Sequence, residues 1–513
     1  MLKQLTAAGF VVSAAGMALA AAPASPGKPR FTVSPETTEV TEPLRPDGMP
    51  DYIAAFNARH GKGVTPADNA LLPLLEIRRT GALLEKGDTP EEDQKNREAF
   101  LQHIGISGAG QDGPVFKTYF AYLQDTSSTM SNAEAQAQWT QAGQSLWTAE
   151  KFPELARHLA AQTHFFDLAA EASQRPHFFA PVIAADGHMA HARAVQFVGL
   201  SEFGRAWEVR ALLRASSGDF DGALADAVAL RHLGRLYATA GPTIGVLLGD
   251  VYDSLGIQVV GTMAGAGKLS AAQCDRCLEA MKLPAMPNLV ESRRFEEWMA
   301  LDRTLLWARD GIDLKELPDD PVAKALFGSI DTSALDFDIM LMRIRQQFEE
   351  ESVMLGAATV AECRARADAM AAQNEARLQA FRNRSNFTRA ANETPEAYTQ
   401  RVVNGILAQS APLADQELRR RAILERSELL PVLLAAAKVK AQTGEWPKSL
   451  EALERVQADA FSTDGKAAPG YFVKDGEACL ASAGLDHILG TDDDQAVGIL
   501  SAEPKQKPGG TMP

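Results

Sequence analysis

The sequence predicts a mainly α-helical protein: a multi-helix body, open to superhelical stacking, followed by a small α+β module at the C-terminus. Three observations predict it. Aromatic residues make up only 7% of the chain and alanine is abundant, a balance that favours helix over sheet. Helix-start signals recur along the chain. Between them, apolar residues recur at three and four.

The first 20 residues read as a cleavable secretory signal. Lys3 is the only charge before Lys28, Leu5 to Leu19 is apolar and small, and Ala18-Leu19-Ala20 is a small-x-small cleavage site. The apolar run is about 15 residues where a spanning helix needs ~20, which disfavours an uncleaved anchor. No cysteine follows the site, so no lipid anchor is expected. Nor does any later stretch promise a span: 429–439 comes nearest, is short, and holds Pro431. Residues 21–46 carry Pro23, Pro26, Pro29, Pro35, Pro43 and Pro46 and read as an extended tether outside any core.

Residues 47–428 form the expected helical domain. Thr65-Pro66, Thr89-Pro90 and Thr394-Pro395 each place a capping hydroxyl before a proline, and Ser131 to Glu134 and Ser270 to Gln273 fit the capping box. Helices are expected across 51–60, 66–86, 90–103, 114–124, 131–149, 153–173, 243–265, 289–309, 335–380 and 395–427. A helical hairpin is expected across 203–238, turning at Ser217-Gly218. Its stretch Leu212 to Asp226 is similar to one tetratricopeptide-type repeat, without a second copy at the ~34-residue period of such arrays.

The module spans 429–500. An apolar helix starts or kinks at Pro431, Trp446-Pro447 makes a corner, and Tyr471-Phe472-Val473 pairs with Ala478-Cys479-Leu480-Ala481 around an Asp-Gly turn. Residues 501–513 are polar with Gly and Pro and are expected to be disordered.

A net charge of −15, or −16 once Lys3 leaves with the signal, would be repelled by phosphate backbones and anionic lipid. Nucleic acid is therefore not an expected partner. Cys274, Cys277, Cys363 and Cys479 are disulfide candidates in an oxidising compartment, although four cysteines in 513 residues cannot hold the fold.

Two resemblances bear on architecture. Arg45 to Ala55, Gly63 to Ala70 and Arg175-Pro176, with the hairpin at 205–238, resemble exported uncharacterised helical proteins of planctomycete-type bacteria. That resemblance covers most of the chain after the signal and implies architecture and export, but no activity. Gly444 to Leu453, Asp459 to Ser462, Gly465-Lys466, Leu480 to Asp486 and Asp492 to Asp494 resemble the C-terminal module of type II secretion major pseudopilins. There a hairpin and an acidic loop hold calcium, so the resemblance implies a calcium site here. Ala460 stands where those modules have proline, and their long N-terminal helix and prepilin signal are missing, so pilus assembly is not implied.

Few patterns carry chemistry. His177, His188 and His191 are the candidate zinc ligands: the last two stand three apart, and Asp186 or Glu202 could add oxygen. Cys274-Asp275-Arg276-Cys277 is a CxxC motif, but the Ser270 cap puts Cys274 a full turn inside its helix, away from the terminus that would activate a thiol. A disulfide or two semi-buried thiols fit better. Asp486, Asp492, Asp493 and Asp494 form the candidate calcium loop, without EF-hand spacing. No G-x-S-x-G elbow or phosphate-binding G-x-x-x-x-G-K-[ST] occurs. Asn383, Asn386 and Asn392 begin glycosylation sequons that read as chance in a bacterial export context. The expectation is a periplasmic or secreted, non-catalytic binding or interaction protein of the cell envelope. It has a protein partner, no nucleic acid, and no membrane span after signal cleavage. The alternative is a metal-dependent hydrolase using the histidine cluster.

Overall fold

The computed structural model describes residues 30–78, 89–106, 114–192, 198–314, 321–382, 387–408, 413–453, 459–461, 467–489, 491 and 493–499. The expected signal, the start of the tether, the 501–513 tail, Asn383, Asn386 and Asp492 lie outside the described residues.

The protein is mainly helical, as expected, with a small antiparallel sheet near the C-terminus. The first helices are α1 (Tyr52–His60), α2 (Leu71–Arg78), α3 (Pro90–His103), α4 (Tyr119–Asp125), α5 (Asn132–Ala142), α6 (Pro153–Ala161) and α7 (Thr163–Ser173). The middle of the chain forms α8 (Val198–Ser216), α9 (Phe220–Tyr237), α10 (Thr243–Gly265), α11 (Ala271–Ala280) and α12 (Leu289–Asp310). Then come α13 (Pro321–Gly328), α14 (Phe337–Leu355), α15 (Val360–Arg382), α16 (Pro395–Leu407) and α17 (Leu413–Thr443). The strands are β1 (Gly470–Lys474), β2 (Glu477–Ser482) and β3 (Gln495–Gly498).

Local chemistry explains most helix starts. The Thr89 hydroxyl accepts from the Glu92 amide at 3.1 Å, Thr394 caps Ala397 at 3.2 Å, and Ser131 and Ser270 form complete capping boxes. In the hairpin, Gly218 takes φ +86° and Asp219 caps α9 through the Gly222 amide. Thr65 does not cap a helix. Its hydroxyl bonds the Asp68 carboxylate at 2.7 Å, so Pro66–Asp68 is a single 3-10 turn and the helix begins at Leu71. The expected helix across 335–380 breaks at Gly356, which ends α14. Pro431 neither starts nor ends a helix: α17 runs through it.

The core is organised on α10. This helix corrects one expectation, because among the described residues one stretch is long and apolar enough to cross a membrane. An 18-residue window of Thr243–Gly265 has mean hydropathy 1.3, and 72% of it is buried inside the protein. It is wrapped by α8, α9, α12, α17 and the sheet. Two glycines set the approach of α9. A Cβ on Gly234 would lie 2.6 Å from the Gly249 carbonyl oxygen, and one on Gly249 would lie 2.4 Å from that of Gly234. At the far end of α10, a Cβ on Gly261 would meet Val497 and one on Gly265 the Ala478 carbonyl, each at 2.5 Å.

That far end is where the small C-terminal sheet packs on the helical body. Ala478, Leu480 and Val497 of the sheet share one apolar cluster with Val259, Val260 and Met263 of α10 and Leu433 and Leu434 of α17. α17 itself spans the expected boundary at 428. The hairpin forms where the sequence places it: Asp475-Gly476 takes positive φ at both positions, and Tyr471 opposes Leu480, Phe472 Cys479 and Val473 Ala478.

The tether expected across 21–46 is also corrected from residue 30 onward. Thr38 and Val40 are buried, and the Tyr52 hydroxyl donates to the Thr38 carbonyl at 2.9 Å. Trp298 of α12 donates to Glu39 at 2.8 Å beside an Arg294–Glu39 ion pair, and Asp338 of α14 takes the Thr32 amide and hydroxyl at 2.6 and 2.7 Å. The segment forms no ladder: α14 meets its backbone, Asp338 taking the Thr32 amide and Arg345 donating to the Pro35 carbonyl, while α12 holds the Glu39 carboxylate.

Replacing a helix-interior glycine with alanine ordinarily stabilises by about 1 kcal/mol. Gly249→Ala is expected to do the reverse, lowering stability by about 1–3 kcal/mol through overpacking against Gly234. Thermal unfolding of the variant checks this; a raised melting temperature would refute the close approach.

Candidate functional site

The structure does not assemble the three histidines. His188 and His191 bracket a single 3-10 turn, Met189–His191, with ring centroids 6.3 Å apart. His177 is held elsewhere: its amide and carbonyl pair with Asp68 and Ala70 at 3.2 and 2.8 Å. Glu202 is exposed on α8. Among the described residues no group of three or more His, Cys, Asp or Glu side chains is placed to hold a metal ion. The histidines instead pair separately with carboxylates, His191 Nδ1 with Asp186 at 2.7 Å and His188 Nδ1 with Asp302 at 3.4 Å. Burial pushes the Asp186 carboxyl up, but the hydrogen bond and charge of His191 and the His188 amide outweigh it and hold it down at about 2.

Asp302 is the residue that sequence reasoning missed. It is buried on α12 and takes the Ala190 amide at 3.1 Å and Arg45 at 3.4 Å, while Arg45 also donates to the Gly187 carbonyl at 2.8 Å. One carboxylate thus ties the N-terminal segment and the histidine turn to α12. The signal was an acid set among apolar residues, Leu301 before it and Leu305 and Leu306 after it.

The four disulfide candidates are free, buried thiols. Cys274 and Cys277 stand three apart on one helix, where Cβ atoms lie about 5–6 Å apart against the 3.5–4.5 Å of a disulfide. Burial raises their thiols to about 11 and about 12, and that of Cys479 to about 12. Cys363 packs its sulfur 3.9 Å from that of Met354. These are core thiols, not nucleophiles.

The acidic loop turns its carboxylates on itself. Asp493 takes the amides of Leu485 and Asp486 at 2.6 and 3.0 Å and the Thr491 hydroxyl at 2.8 Å. Asp486 takes the Ile488 amide at 2.9 Å, and Asp494 lies 3.3 Å from the Thr491 hydroxyl. The candidate calcium set Asp486, Asp493 and Asp494 therefore reads as loop-closing hydrogen bonding. Asp459 does the same deeper in, taking the Phe461 and Ala483 amides at 2.8 Å each and the Ser482 hydroxyl at 2.7 Å.

Charges also lie inside the helical body. Asp226 of α9 accepts from Trp207 at 2.9 Å and pairs with Arg210 and Arg214 of α8 at 2.5 and 3.0 Å. Glu208 of α8 is different. It is buried, and the charges that act on its carboxyl are those of Arg205 and Arg426. Burial pushes it up to about 8 despite the charges of Arg205 and Arg426. Arg426 of α17 donates instead to Ser254 of α10 at 2.6 Å and to Gln258. A lone proton-holding carboxyl beside an arginine is not a catalytic set, because no nucleophile accompanies it among these contacts.

The surface feature without an internal explanation is at the C-terminal sheet. Strand order is β1-β2-β3, β3 is covered by α10 and α17, and among the described residues no strand pairs with the outer side of β1, which makes it the open edge of the described sheet. On and beside it Phe472 is 47% exposed, Val473 45%, Ile488 59% and Leu489 42%. The Phe472 ring and Leu489 converge over Gly470, where a Cβ would lie 2.8 and 3.2 Å from them. Open edges are usually blunted by charge, proline or a covering element. Pro469 and Lys474 bracket this edge, and the three residues between Gly470 and Lys474 are Tyr, Phe and Val. No family model, no curated protein and no solved structure matches this chain.

Glu208 yields a test of the interior. Its proton is held in the folded state up to about pH 8 and in the unfolded chain only to about 4.5, so its contribution to stability falls as pH rises between those values. Glu208→Gln is expected to melt several degrees above the parent at pH 8 and to converge on it toward pH 5. An equal offset at both pH values would contradict the raised carboxyl.

Proposed function

We propose that this is an exported protein of the cell envelope, periplasmic or secreted, that acts by binding another protein chain through the open edge of its C-terminal sheet. The observation that carries this reading is the edge strand itself: Phe472 and Val473 stand in solvent beside Ile488 and Leu489, next to Tyr471, which packs on the core. An edge offers unpaired amides and carbonyls to an added strand, and alternate side chains give the contact its selectivity. Contiguous exposed apolar groups rimmed by polar residues mark such surfaces. Lys474, Asp475, Glu477 and Asp486 supply the rim.

Export is supported by the signal pattern at 1–20, and the charge of −15 argues against nucleic acid as the partner. The resemblance of 444–494 to pseudopilin C-terminal modules concerns this same hairpin and loop and adds no activity. The histidine hydrolase alternative has no support, since the three rings do not converge.

A photo-crosslinking side chain placed at position 472 of the full chain, irradiated in the cells that produce it, is expected to capture protein. The same probe at Met342, an exposed apolar position on α14, is the control. No adduct at 472, or equal adducts at both positions, would overturn the proposal.

A further inference from the structure

The strand-addition reading leaves the partner open. We infer, resting on that reading, that the partner is a second copy of this chain, paired antiparallel along β1 about a two-fold axis through Phe472. The two three-stranded sheets then become one continuous sheet.

Backbone direction comes first. The Ala478 carbonyl accepts from the Ile499 amide at 3.2 Å, on the side of β2 away from β1. Ala478 opposes Val473, and directly opposed residues of an antiparallel pair turn their polar groups either toward each other or both away. Val473 therefore turns its amide and carbonyl to the open edge. Tyr471, two residues earlier, does the same, while Phe472 bonds inward to Cys479. A two-fold axis through Phe472 sets Tyr471 opposite Val473 of the second copy, twice. Each such pair exchanges both its bonds, closing about four hydrogen bonds across the new seam.

The side chains fit this register. Phe472 meets Phe472 of the second copy, with Cβ atoms about 4.5–5.5 Å apart, and Tyr471 meets Val473; aromatic–aromatic and aromatic–β-branched pairs are the favourable cross-strand combinations. Ile488 and Leu489, beside Phe472, are covered in the same event. Charge agrees locally. Lys474 falls opposite Gly470, on the face where Leu489 leans over that glycine. The loop carrying Leu489 also carries Asp486 and Asp493, so each Lys474 approaches the acidic loop of the other copy. No like charges oppose one another along the strand. A foreign strand would need to reproduce this arrangement, whereas the chain's own reversed strand already has it.

At longer range two chains of −15 repel, so added salt should strengthen the dimer until the Lys474 contacts are screened. Sedimentation velocity of the full chain across micromolar concentrations, at low and moderate salt, is the test. A concentration-dependent dimer is expected. Val473→Pro removes one outward amide without touching the bonds to β2, and proline is tolerated on an edge that faces solvent. This variant is expected to sediment as a monomer and to keep the parent's circular dichroism, and Phe472→Lys should act in the same direction. A monomer at every concentration and salt, or a dimer that both variants leave intact, would overturn the inference. Peptide sequencing of the adduct formed at position 472 separates the two claims. Capture of this chain supports both, capture of a different protein overturns only the second copy, and no capture overturns both.

Discussion

The structure depends on the seam where α9 and α10 meet backbone to backbone. Gly234 and Gly249 face each other with no room for a Cβ on either side. That closeness places Arg231 and Arg235 of α9 around Asp253 of α10, Arg231 at 2.6 Å and Arg235 also in contact. α17 joins the same seam, with Arg420 2.8 Å from Asp250 and Ser427 3.3 Å from Asp253. Taking these charges out of water costs several kcal/mol per ion, so the seam is only as good as its geometry. Its gain is one relative placement of three helices: a shifted α9 or α17 would leave a buried carboxylate without its arginine.

The exposed edge of the sheet follows from that placement. α10 continues past the seam to Gly261 and Gly265, where β3 and β2 approach it, and α17 covers the sheet with Leu433 and Leu434. Two of the three strands are thereby held by the body and the third is left at the edge. The surface that carries the functional reading is thus presented by the same helix that carries the ion pairs, while Asp459 and Asp493 stiffen the flanking loops. The N-terminal segment, tied by Glu39 and Asp302 to α12, belongs to a second apolar cluster with α1, α12, α14 and α16.

What was legible in the sequence was local. Thr89, Ser131, Ser270 and Thr394 announce their helices because a hydroxyl three residues before an amide acts within one turn. Asp475-Gly476 announces its hairpin because few residue pairs accept two positive φ values. What was not legible depends on contacts distant along the chain. The prolines of 30–46 look like a tether until Trp298, Arg294 and Asp338 supply partners more than 200 residues away. His188 and His191 look like ligands three apart until the turn between them proves to be 3-10 and each ring is seen to have its own aspartate. The acidic loop looks like a cation site until Asp493 is seen to take its own amides. For β1, composition predicted a strand, but only the strand order shows that among the described residues no strand pairs with its far side.

Asp253 and its arginines hold helices and sheet in one cooperative unit. Urea unfolding of Asp253→Asn, followed by tryptophan fluorescence and by far-ultraviolet circular dichroism, tests it most directly. Loss of one partner of a buried pair costs about 3–5 kcal/mol. A loss of that size is expected, with the two probes still reporting a single coincident transition. A loss below about 0.5 kcal/mol, the size ordinary for a surface substitution, would contradict it.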